Sequence, residues 1–232
     1  MSDEEELKII AIIPARGGSK GIPKKNITPI NGKPLISYTI EQCKSTNKID
    51  RIIVSTDDKE IKDVSIGYGA EVIERPTEIS GDTASSESAI THTLKILKKQ
   101  GYITDIVVFL QCTSPIRRKD DISNAIKLLI NKKYDSVFSA TENYPFIWIK
   151  KNGEIKPLNE QYAKKRPIRQ DREPEYIENG SIYVFRNKIF EKSNNRICGK
   201  IGIYPMPYEY SFEIDTDFDL WLCEQIIKRE LS

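Results

Sequence analysis

The sequence predicts an α/β protein: a three-layer sandwich in which helices cover both faces of a mostly parallel sheet. Two patterns support this fold class. Short apolar segments alternate with amphipathic segments through the first half, as in consecutive βαβ units. The first apolar segment, residues 8–14 (KIIAIIP), is typical of a strand buried on both faces. We therefore expect ligands to bind beyond the carboxyl ends of the strands, where such folds place them.

The predicted elements of the first half follow one another in a regular order. A glycine- and lysine-rich loop follows the first strand and extends to Asn26. A helix can start at Pro34, because proline is favoured in the first helical turn. The strands that follow are residues 51–56, 71–74 and 106–111, and the helices are residues 58–68, 83–100 and 120–131.

The second half is less regular. Short β-like segments occur in the sequences SVFSA, FIWIK and SIYVFR, and residues 218–231 are predicted to form a terminal helix. Residues 143–176 are rich in Pro, Lys and Arg and are expected to leave the main sheet as an excursion. We expect a single domain over residues 1–232, which is long enough to bury a sizeable core.

Composition narrows the possible functions. The 232-residue chain has a formal net charge of +2, which is too even for nucleic-acid binding over a large surface, so an anion site must be local. The four cysteines are widely spaced without a CxxC motif, which supports neither a metal cluster nor a disulfide framework. The acidic start lacks the pattern of a signal peptide, and no apolar run could span a bilayer. We expect a cytoplasmic protein with no nucleic-acid or membrane partner.

The loop at residues 14–26 (PARGGSKGIPKKN) has the composition of a polyphosphate site. Its glycines let the backbone approach a ligand and present N–H groups, while Arg16, Lys20 and Lys25 add positive charge. Neither GxxxxGK followed by Ser or Thr nor GxGxxG is present, so the loop matches neither widespread phosphate-binding motif. A solvated basic turn is the alternative interpretation.

Five segments together resemble the acylneuraminate cytidylyltransferase family. They are IIPARGGSKGIPKKNI, RPTEISGDTASS (75–86), LQCTSPIR (110–117), RQDREPEYIENGSIYVF (169–185) and FEIDTDFDL (212–220). They occur in the family's order across nearly the whole chain, with Cys112 where the family usually has proline. The resemblance implies a Rossmann-like fold of the nucleotide-diphospho-sugar transferase type. It also implies an enzyme that joins CMP from CTP to a nine-carbon acidic sugar, N-acetylneuraminate or a close relative, and releases pyrophosphate.

The resemblance assigns the nucleotide to the first two of these segments. Cations in the first loop would oppose the charge that grows on the departing pyrophosphate. A backbone carbonyl such as that of Ala84 can accept from the cytosine amino group. Residues 83–87 also fit a helix start that is rich in capping residues. The predicted nucleotide-binding residues are Arg16, Ser19, Lys20, Lys25, Asn26, Arg75, Ala84 and Ser86, with Arg16 and Lys20 also predicted to be catalytic.

The acidic sugar needs basic or amide partners for its carboxylate. Gln111 follows a predicted strand, where a ligand contact is expected, and the resemblance supplies the other candidates. Where some family members carry a lysine soon after a proline in the middle region, this chain has Ile147 and Trp148, so the sugar can differ. The predicted acceptor-binding residues are Gln111, Arg169, Gln170, Asn179 and Tyr183.

The acidic segment near the C-terminus is the predicted metal site. Glu213, Asp215 and Asp217 recur at period two and would share one face of an extended segment. Carboxylates so placed suit Mg²⁺ or Mn²⁺ bound to phosphate oxygens. Asp215 is the strongest candidate and is also predicted to be catalytic, because Glu213 stands where the family usually has Asp. Asp217 and Asp219 have the alternative role of helix N-terminal charges.

Other functions remain open at this point. A legionaminic, pseudaminic or eight-carbon acid would use the same chemistry, although the late segments argue against the eight-carbon case. A regulatory nucleotide-binding protein without catalysis is a different class, and a dinucleotide oxidoreductase is disfavoured by the absent GxGxxG. The resemblance also implies a homodimer, formed through the excursion at residues 143–176. The aromatic residues Tyr144, Phe146 and Trp148 of this excursion are expected to be buried from solvent.

Overall fold

The structure, a computed structural model, describes residues 7–19 and 21–231. The first part of the chain largely follows the predicted order of strands and helices. Its elements are β1 (Ile9–Pro14), β2 (Pro29–Ile30), β3 (Lys33–Pro34), α1 (Leu35–Lys44), β4 (Arg51–Thr56), α2 (Lys59–Gly67), β5 (Glu71–Glu74), α3 (Ser86–Lys99), β6 (Ile106–Leu110) and α4 (Asp121–Asn131).

The second part contains more elements than the sequence predicts. They are β7 (Ser136–Asn143), β8 (Trp148–Lys151), β9 (Glu154–Pro157), α5 (Glu160–Lys165), β10 (Glu175–Arg186), α6 (Asn187–Ser193), β11 (Ile201–Pro205) and α7 (Asp217–Leu231). Short 3-10 turns occur at Lys25–Ile27, Thr77–Ile79, Arg169–Asp171 and Tyr208–Tyr210.

Seven strands form the main sheet in the order β11-β7-β10-β6-β1-β4-β5. All neighbouring pairs are parallel except the two pairs that β10 makes, with β6 and with β7. Two separate ribbons, β2–β3 and β8–β9, lie outside this sheet. The prediction of a mostly parallel sheet is therefore confirmed, with β10 as its antiparallel member.

Helices pack on both faces of the sheet. Residues of α1, α2 and α4 share one buried cluster with the sheet, and residues of α3 and α6 share the cluster on the opposite face. A third cluster joins α7 to the start of α1 and to the loop after β1, through side chains such as Ile22, Leu35 and Ile214. The predicted three-layer sandwich is confirmed. Among the described helices, none combines the length and apolar character that a membrane span requires.

Helix boundaries depart from the predictions where capping decides them. The helix predicted to begin at residue 83 begins at Ser86, because the Ser85 side chain accepts a hydrogen bond from the Ser88 N–H and ends the extended backbone there. The helix predicted at residues 58–68 begins at Lys59, with Asp58 accepting from the Ile61 N–H. In both cases the cap lies outside the helix that it stabilises.

A register shift in β10 shapes the edge of the sheet. The pairing of β10 with β7 is interrupted between Glu178 and Tyr183. Gly180 lies in this interval with φ +68, a backbone conformation that L side chains rarely adopt. The interruption turns Asn179 and Gly180 away from a regular ladder and towards the carboxyl end of β6.

The predicted excursion contains the β8–β9 hairpin and α5. Its centre is the guanidinium of Arg172, which lies 4.7 Å from the Phe146 ring centroid and 4.8 Å from that of Tyr162. Exposed apolar side chains lie on both faces of the β8–β9 hairpin: Trp148 and Ile155 share one face, and Ile147, Ile149 and Leu158 share the other.

Candidate active site

The carboxyl ends of β1, β4 and β6 lie side by side, because these three strands are parallel neighbours. The loops that follow them carry the polar side chains predicted from the sequence, as expected for an open parallel sheet. The loop after β1 lies in the middle. Residues on the β4–β5 side and residues on the β6–β10 side form the two walls of a cleft.

Asn26 holds the central loop in shape. Its side chain is buried at 5% exposure, and its Nδ2 donates to the Arg16 carbonyl over 2.9 Å. Its Oδ1 accepts from the Cys112 thiol, whose Sγ is 2.9 Å away. Both ends of the amide are thus engaged within the protein, so Asn26 connects the start of the loop to the end of β6.

Two predicted phosphate-binding cations are paired with carboxylates. Arg16 Nη1 lies 2.8 Å from Asp82 Oδ1, and Lys25 Nζ lies 3.0 Å from Asp215 Oδ1 and 2.6 Å from the Ile214 carbonyl. Ion pairs at exposed sites contribute only about 0–1 kcal/mol. A phosphate group could replace either carboxylate at low cost. Ser19 is partly exposed in the same loop, and the predicted residue Lys20 lies outside the described residues.

Arg75 is the buried cation of the β4–β5 side. It is 8% exposed, and its Nη2 donates to the Ser55 carbonyl over 2.7 Å, whereas its Nε has no partner among the described residues. Burial lowers the pKa of Arg75; the charge of Asp57 opposes this shift and that of Arg16 adds to it. Asp57 also accepts from the Gly17 N–H over 3.1 Å. Because the Nε–H of Arg75 is buried without a partner in the described part of the chain, an acceptor atom of a ligand that hydrogen-bonds to it would stabilise the complex.

The predicted base-selecting residues surround the start of α3. Ser86 is its first residue, and the Ala84 N–H donates to the Gly81 carbonyl over 3.0 Å in the preceding turn. Both interpretations of residues 83–87, as a cap and as a ligand site, are compatible with this position, because the first amides of a helix have no partner within the helix.

Gly180 is the closest approach between elements on the β6–β10 side. A β-carbon at this position would lie 2.7 Å from Gln111 Oε1, 3.4 Å from Glu213 Oε2 and 3.5 Å from Ser114 Oγ. Glu213 Oε1 also accepts from the Thr113 hydroxyl over 3.0 Å. These residues form what we call the acceptor wall: Gln111, Gly180 and Glu213.

Asn179 lies behind the acceptor wall. Its side chain is buried, accepts from the Ser139 hydroxyl over 2.6 Å and from the Ser181 N–H over 3.2 Å, and donates to the Ser211 hydroxyl over 3.0 Å. The structure thus gives Asn179 a set of internal partners. Its predicted contact with the sugar stays a prediction.

Tyr183 is also buried, at 2% exposure. Its ring packs edge-on against Phe109 and under the Arg196 guanidinium, and its hydroxyl donates to Glu178. Burial raises its pKa, and the hydrogen bond to Glu178 raises it further. Arg196 in turn contacts Glu87 in the first turn of α3 over 2.5 Å. The partner of the Tyr183 hydroxyl, the Glu178 carboxylate, is exposed, and the sequence analysis did not predict it as a site residue.

The acidic segment does not form the predicted set of three carboxylates. Glu213 and Asp215 flank the fully buried Ile214 and are both exposed, as period two requires. Asp217, however, is the first residue of α7, so the extended face ends before it. Within residues 7–19 and 21–231, no group of three or more His, Cys, Asp or Glu side chains has a metal-binding arrangement.

Asp219 caps α7 and fixes the segment before it. Its Oδ2 accepts from the Asp215 N–H over 3.1 Å, and from the N–H and hydroxyl of Thr216, each over 2.8 Å. The hydrogen bond from the Thr216 hydroxyl lowers the pKa of Asp219. The alternative interpretation of Asp217 and Asp219 as helix N-terminal charges therefore describes their positions.

Arg169 and Gln170 lie away from the acceptor wall. They are exposed in the 3-10 turn Arg169–Asp171, and the Arg169 guanidinium stacks 3.3 Å from the Tyr144 ring centroid. Both residues line a separate cavity of about 350 Å³, which Gln111, Gly180 and Glu213 do not line. Within one chain, the structure does not bring these two predicted residues to the others.

The fold is that of a three-layer α/β protein with a mostly parallel sheet, and solved structures share it. A solved CMP:2-keto-3-deoxy-manno-octonic acid synthetase complexed with CTP aligns with a TM-score of 0.71 at 17% identity, covering 96% of this chain and 99% of that one. The 4-diphosphocytidyl-2C-methyl-D-erythritol synthase of Anaerococcus prevotii aligns with a TM-score of 0.69 at 19% identity, covering 97% and 100%. At these identities the likeness shows the fold alone.

Sequence comparison shows the family. A sequence model of the family described as cytidylyltransferase matches residues 10–231, and the chain belongs to this family. It is 38% identical to N-acylneuraminate cytidylyltransferase A of Danio rerio over 95% of the chain, but spans only 51% of that relative's length. It is 34% identical to the pseudaminic acid cytidylyltransferase of Campylobacter jejuni, covering 96% of this chain and 97% of the relative. The family resemblance drawn from the five segments is confirmed.

Proposed function

We propose that the chain is a cytidylyltransferase that transfers CMP from CTP to a nonulosonic acid and releases pyrophosphate. One observation carries the proposal: a cation-bearing, glycine-rich loop lies beside the acidic segment that contributes Glu213 to the acceptor wall, with Lys25 against Asp215, in a chain that belongs to the cytidylyltransferase family. The names of its relatives, which include N-acylneuraminate and pseudaminic acid cytidylyltransferases, support an acidic sugar as acceptor.

In the proposed reaction, a sugar hydroxyl oxygen attacks the α-phosphorus of CTP and the bond to pyrophosphate breaks. The hydroxyl proton leaves the acceptor, the α-phosphate keeps one negative charge in the new diester, and pyrophosphate takes the remaining charge of the triphosphate with the electron pair of the broken P–O bond. Arg16 and Lys25 would exchange Asp82 and Asp215 for phosphate oxygens and so oppose the growing charge. Arg75 and the amides of α3 would hold the nucleoside end.

Glu213 and Asp215 fit a divalent cation that is bound mainly by phosphate. Both carboxylates are exposed on the same side of the segment around Ile214, and Mg²⁺ needs only one or two protein carboxylates when a substrate phosphate completes its shell. When bound, Mg²⁺ or Mn²⁺ would supply charge neutralisation at the phosphates. We propose Asp215 as the main ligand, since its carboxylate lies at the phosphate loop beside Lys25.

The direct test is turnover with defined substrates. The protein is incubated with CTP, Mg²⁺ and a panel of N-acetylneuraminic, legionaminic, pseudaminic and eight-carbon acids, and the products are identified by mass. We expect a CMP-sugar with at least one nine-carbon acid and equimolar pyrophosphate. UTP, ATP and GTP should be poor substrates. Absence of product with every acid, or equal turnover with UTP, contradicts the proposal.

We also propose a homodimer that buries exposed apolar residues of the excursion. The support is the number of such residues on one hairpin, with Trp148 and Ile155 on one face and Ile147 on the other; exposed apolar surface of this kind is typical of interaction sites. Light scattering at micromolar concentration should give twice the chain mass, and Trp148→Glu should shift it towards the monomer. A wild-type chain that is strictly monomeric contradicts this arrangement. A cytoplasmic location is proposed from the four free cysteines.

A further inference from the structure

Arg117 is a buried cation whose hydrogen bonds all go to neutral oxygens. It is 7% exposed, and its Nε is buried without a partner among the described residues. The nearby Asp121 carboxylate is engaged elsewhere, by Arg118 Nε over 3.0 Å and by the Tyr204 hydroxyl over 2.8 Å. Burial lowers the pKa of Arg117 to about 10, which leaves it protonated at neutral pH. Burying a charge without an ion pair costs free energy. The stability of the fold alone therefore does not explain why an arginine is buried at this position.

One end of the Arg117 guanidinium holds two strands apart. Its Nη2 donates to the Gln111 carbonyl and to the Ser181 carbonyl, each over 2.8 Å. The β6–β10 ladder ends one residue earlier, at the pair Leu110 and Ile182. Where the next cross-strand pair would form, both carbonyls therefore accept from Arg117. The guanidinium sets the separation at which the two strands diverge.

The other end of the guanidinium is anchored to α1. Its Nη1 donates to Thr39 Oγ1 over 3.2 Å and to Gln42 Oε1 over 2.9 Å. The Gln42 amide also donates from Nε2 to the Pro115 carbonyl over 2.8 Å, which fixes its orientation. A planar guanidinium can make these bonds in several directions at once, whereas an ammonium group cannot reproduce that fork.

The opening held by Arg117 is the base of the acceptor wall. Gln111 contributes its side chain to that wall, and Ser181 follows Gly180 directly. By contrast, none of the hydrogen bonds of Arg117 reaches the loop cations or Arg75. Its direct contacts therefore lie on the β6–β10 side of the cleft and on α1.

We propose that Arg117 is a positioning residue for the acceptor sugar: it fixes Gln111 and Gly180 in the geometry that binds the sugar, without touching substrate. This inference rests on the proposed function for its kinetic consequence. Displacing a substrate-positioning group by about 1 Å can cost up to about 100-fold in rate. The nucleotide side should be unaffected.

The test compares Arg117→Met and Arg117→Lys with the wild type. For both variants we expect kcat/KM for the acceptor sugar to fall about 10- to 100-fold, while the Kd for CTP, measured by calorimetry without sugar, changes less than about 2-fold. Lysine keeps the charge, so failure of Arg117→Lys to restore the sugar kinetics indicates that the fork geometry matters. Full recovery with lysine, or equal weakening of CTP and sugar, overturns the proposal.

A destabilised control separates positioning from loss of stability. Ile126→Ala removes a fully buried side chain of α4 that is not a member of the wall, and should lower the melting temperature without changing the acceptor KM. If Ile126→Ala reproduces the acceptor defect at equal melting temperature, the proposal is wrong.

Hydrogen exchange keeps the inference testable if the wild type turns over no sugar acid. That outcome refutes the proposed function alone. In Arg117→Met, amides of residues 111–114 and 179–182 should then exchange faster while those of α3 keep their protection. Unchanged exchange, or a uniform loss across the sheet, overturns the role of Arg117.

Discussion

The central loop and the acceptor side of the cleft are held in different ways. In the loop, Arg16 and Lys25 lie against carboxylates whose side chains are 50% and 71% exposed. On the acceptor side, Asn179 and Arg117 make their hydrogen bonds below the surface, with serine, threonine, glutamine and backbone partners. The proposed function requires the loop to exchange its partners when a polyphosphate binds. The acceptor side is organised before any ligand binds, so mutations in the two regions should separate activity from stability.

The largest expected effect is that of Asp215→Asn on turnover. The amide keeps the size of the side chain but removes the charge next to Lys25, which the proposed metal requires. We expect kcat to fall on the order of 100- to 1,000-fold. Initial rates of pyrophosphate release at saturating CTP measure it, and circular dichroism should show an unchanged fold because the carboxylate is exposed.

Asp217→Asn is the matched control for this result, and Glu213→Gln tests the second proposed ligand. Asp217 lies in the first turn of α7, so its replacement should be nearly silent. If Asp217→Asn greatly lowers kcat and Asp215→Asn does not, the assignment of metal ligands along the acidic segment is wrong. Three silent variants would place the metal elsewhere.

Asn179→Ala and Arg16→Met should behave in opposite ways. Removing the Asn179 amide leaves the Ser139 hydroxyl and the Ser181 N–H without their buried partner, so the free energy of unfolding should fall by about 1–3 kcal/mol. Arg16→Met should change it by less than about 0.5 kcal/mol and raise the KM for CTP. Urea titrations and CTP kinetics on both variants check this. Equal stability of the two variants would remove the distinction between the two regions.

Cys112→Ala tests the hydrogen bond that connects the end of β6 to the central loop. The Cys112 thiol is the donor that orients the Asn26 amide, and that amide holds the Arg16 carbonyl. Loss of one neutral hydrogen bond should raise the KM for CTP about 2- to 10-fold and leave kcat nearly constant. Cys198→Ala is the control, since the hydrogen bonds of Cys198 use its backbone. An unchanged KM would mean that Asn26 keeps its orientation without the thiol.

The smallest expected effect is the pH dependence of the α7 cap. The pKa of Asp219 is lowered in the folded protein from its ordinary value of 3.8, so its contribution to stability is present above that pH and is lost as the pH falls below it. Asp219→Asn should lower the melting temperature slightly at neutral pH, and the difference from wild type should shrink on acidification. A difference that stays constant with pH would show that charge plays no part.

The sequence predicted the first half of the fold well because each element there carries its own boundary signal. The β4 and β5 strands match the predicted residues, and α2 ends close to Gly69, whose φ of +90 suits the turn. In the second half, β11 was missed because a five-residue segment containing Gly202 has little pattern of its own. Its position at the edge is set by pairing with β7.

The charged residues of the site show their chemistry in the sequence, whereas burial depends on distant partners. Arg16, Lys25 and Asp215 carry such charges, and the structure brings the last two together. Nothing in the segment around Arg117 predicts its burial, which depends on partners in α1 and β10. The sheet buries the side chains of Tyr183 and Asn179, and their contacts with a ligand stay predictions.

The position of β10 has a consequence for how the chain matures. During synthesis, β1, β4, β5 and β6 can assemble from consecutive βαβ units, because each finds a neighbour among segments already made. The two sheet neighbours of β7 are β10 and β11, which both emerge later. The half-finished sheet must therefore wait with β6 as an open edge until β10 inserts between β6 and β7. Closure of the sheet and formation of the β6–β10 side of the cleft are then the same late event, and the contacts of Lys25 with Ile214 and Asp215 form later still.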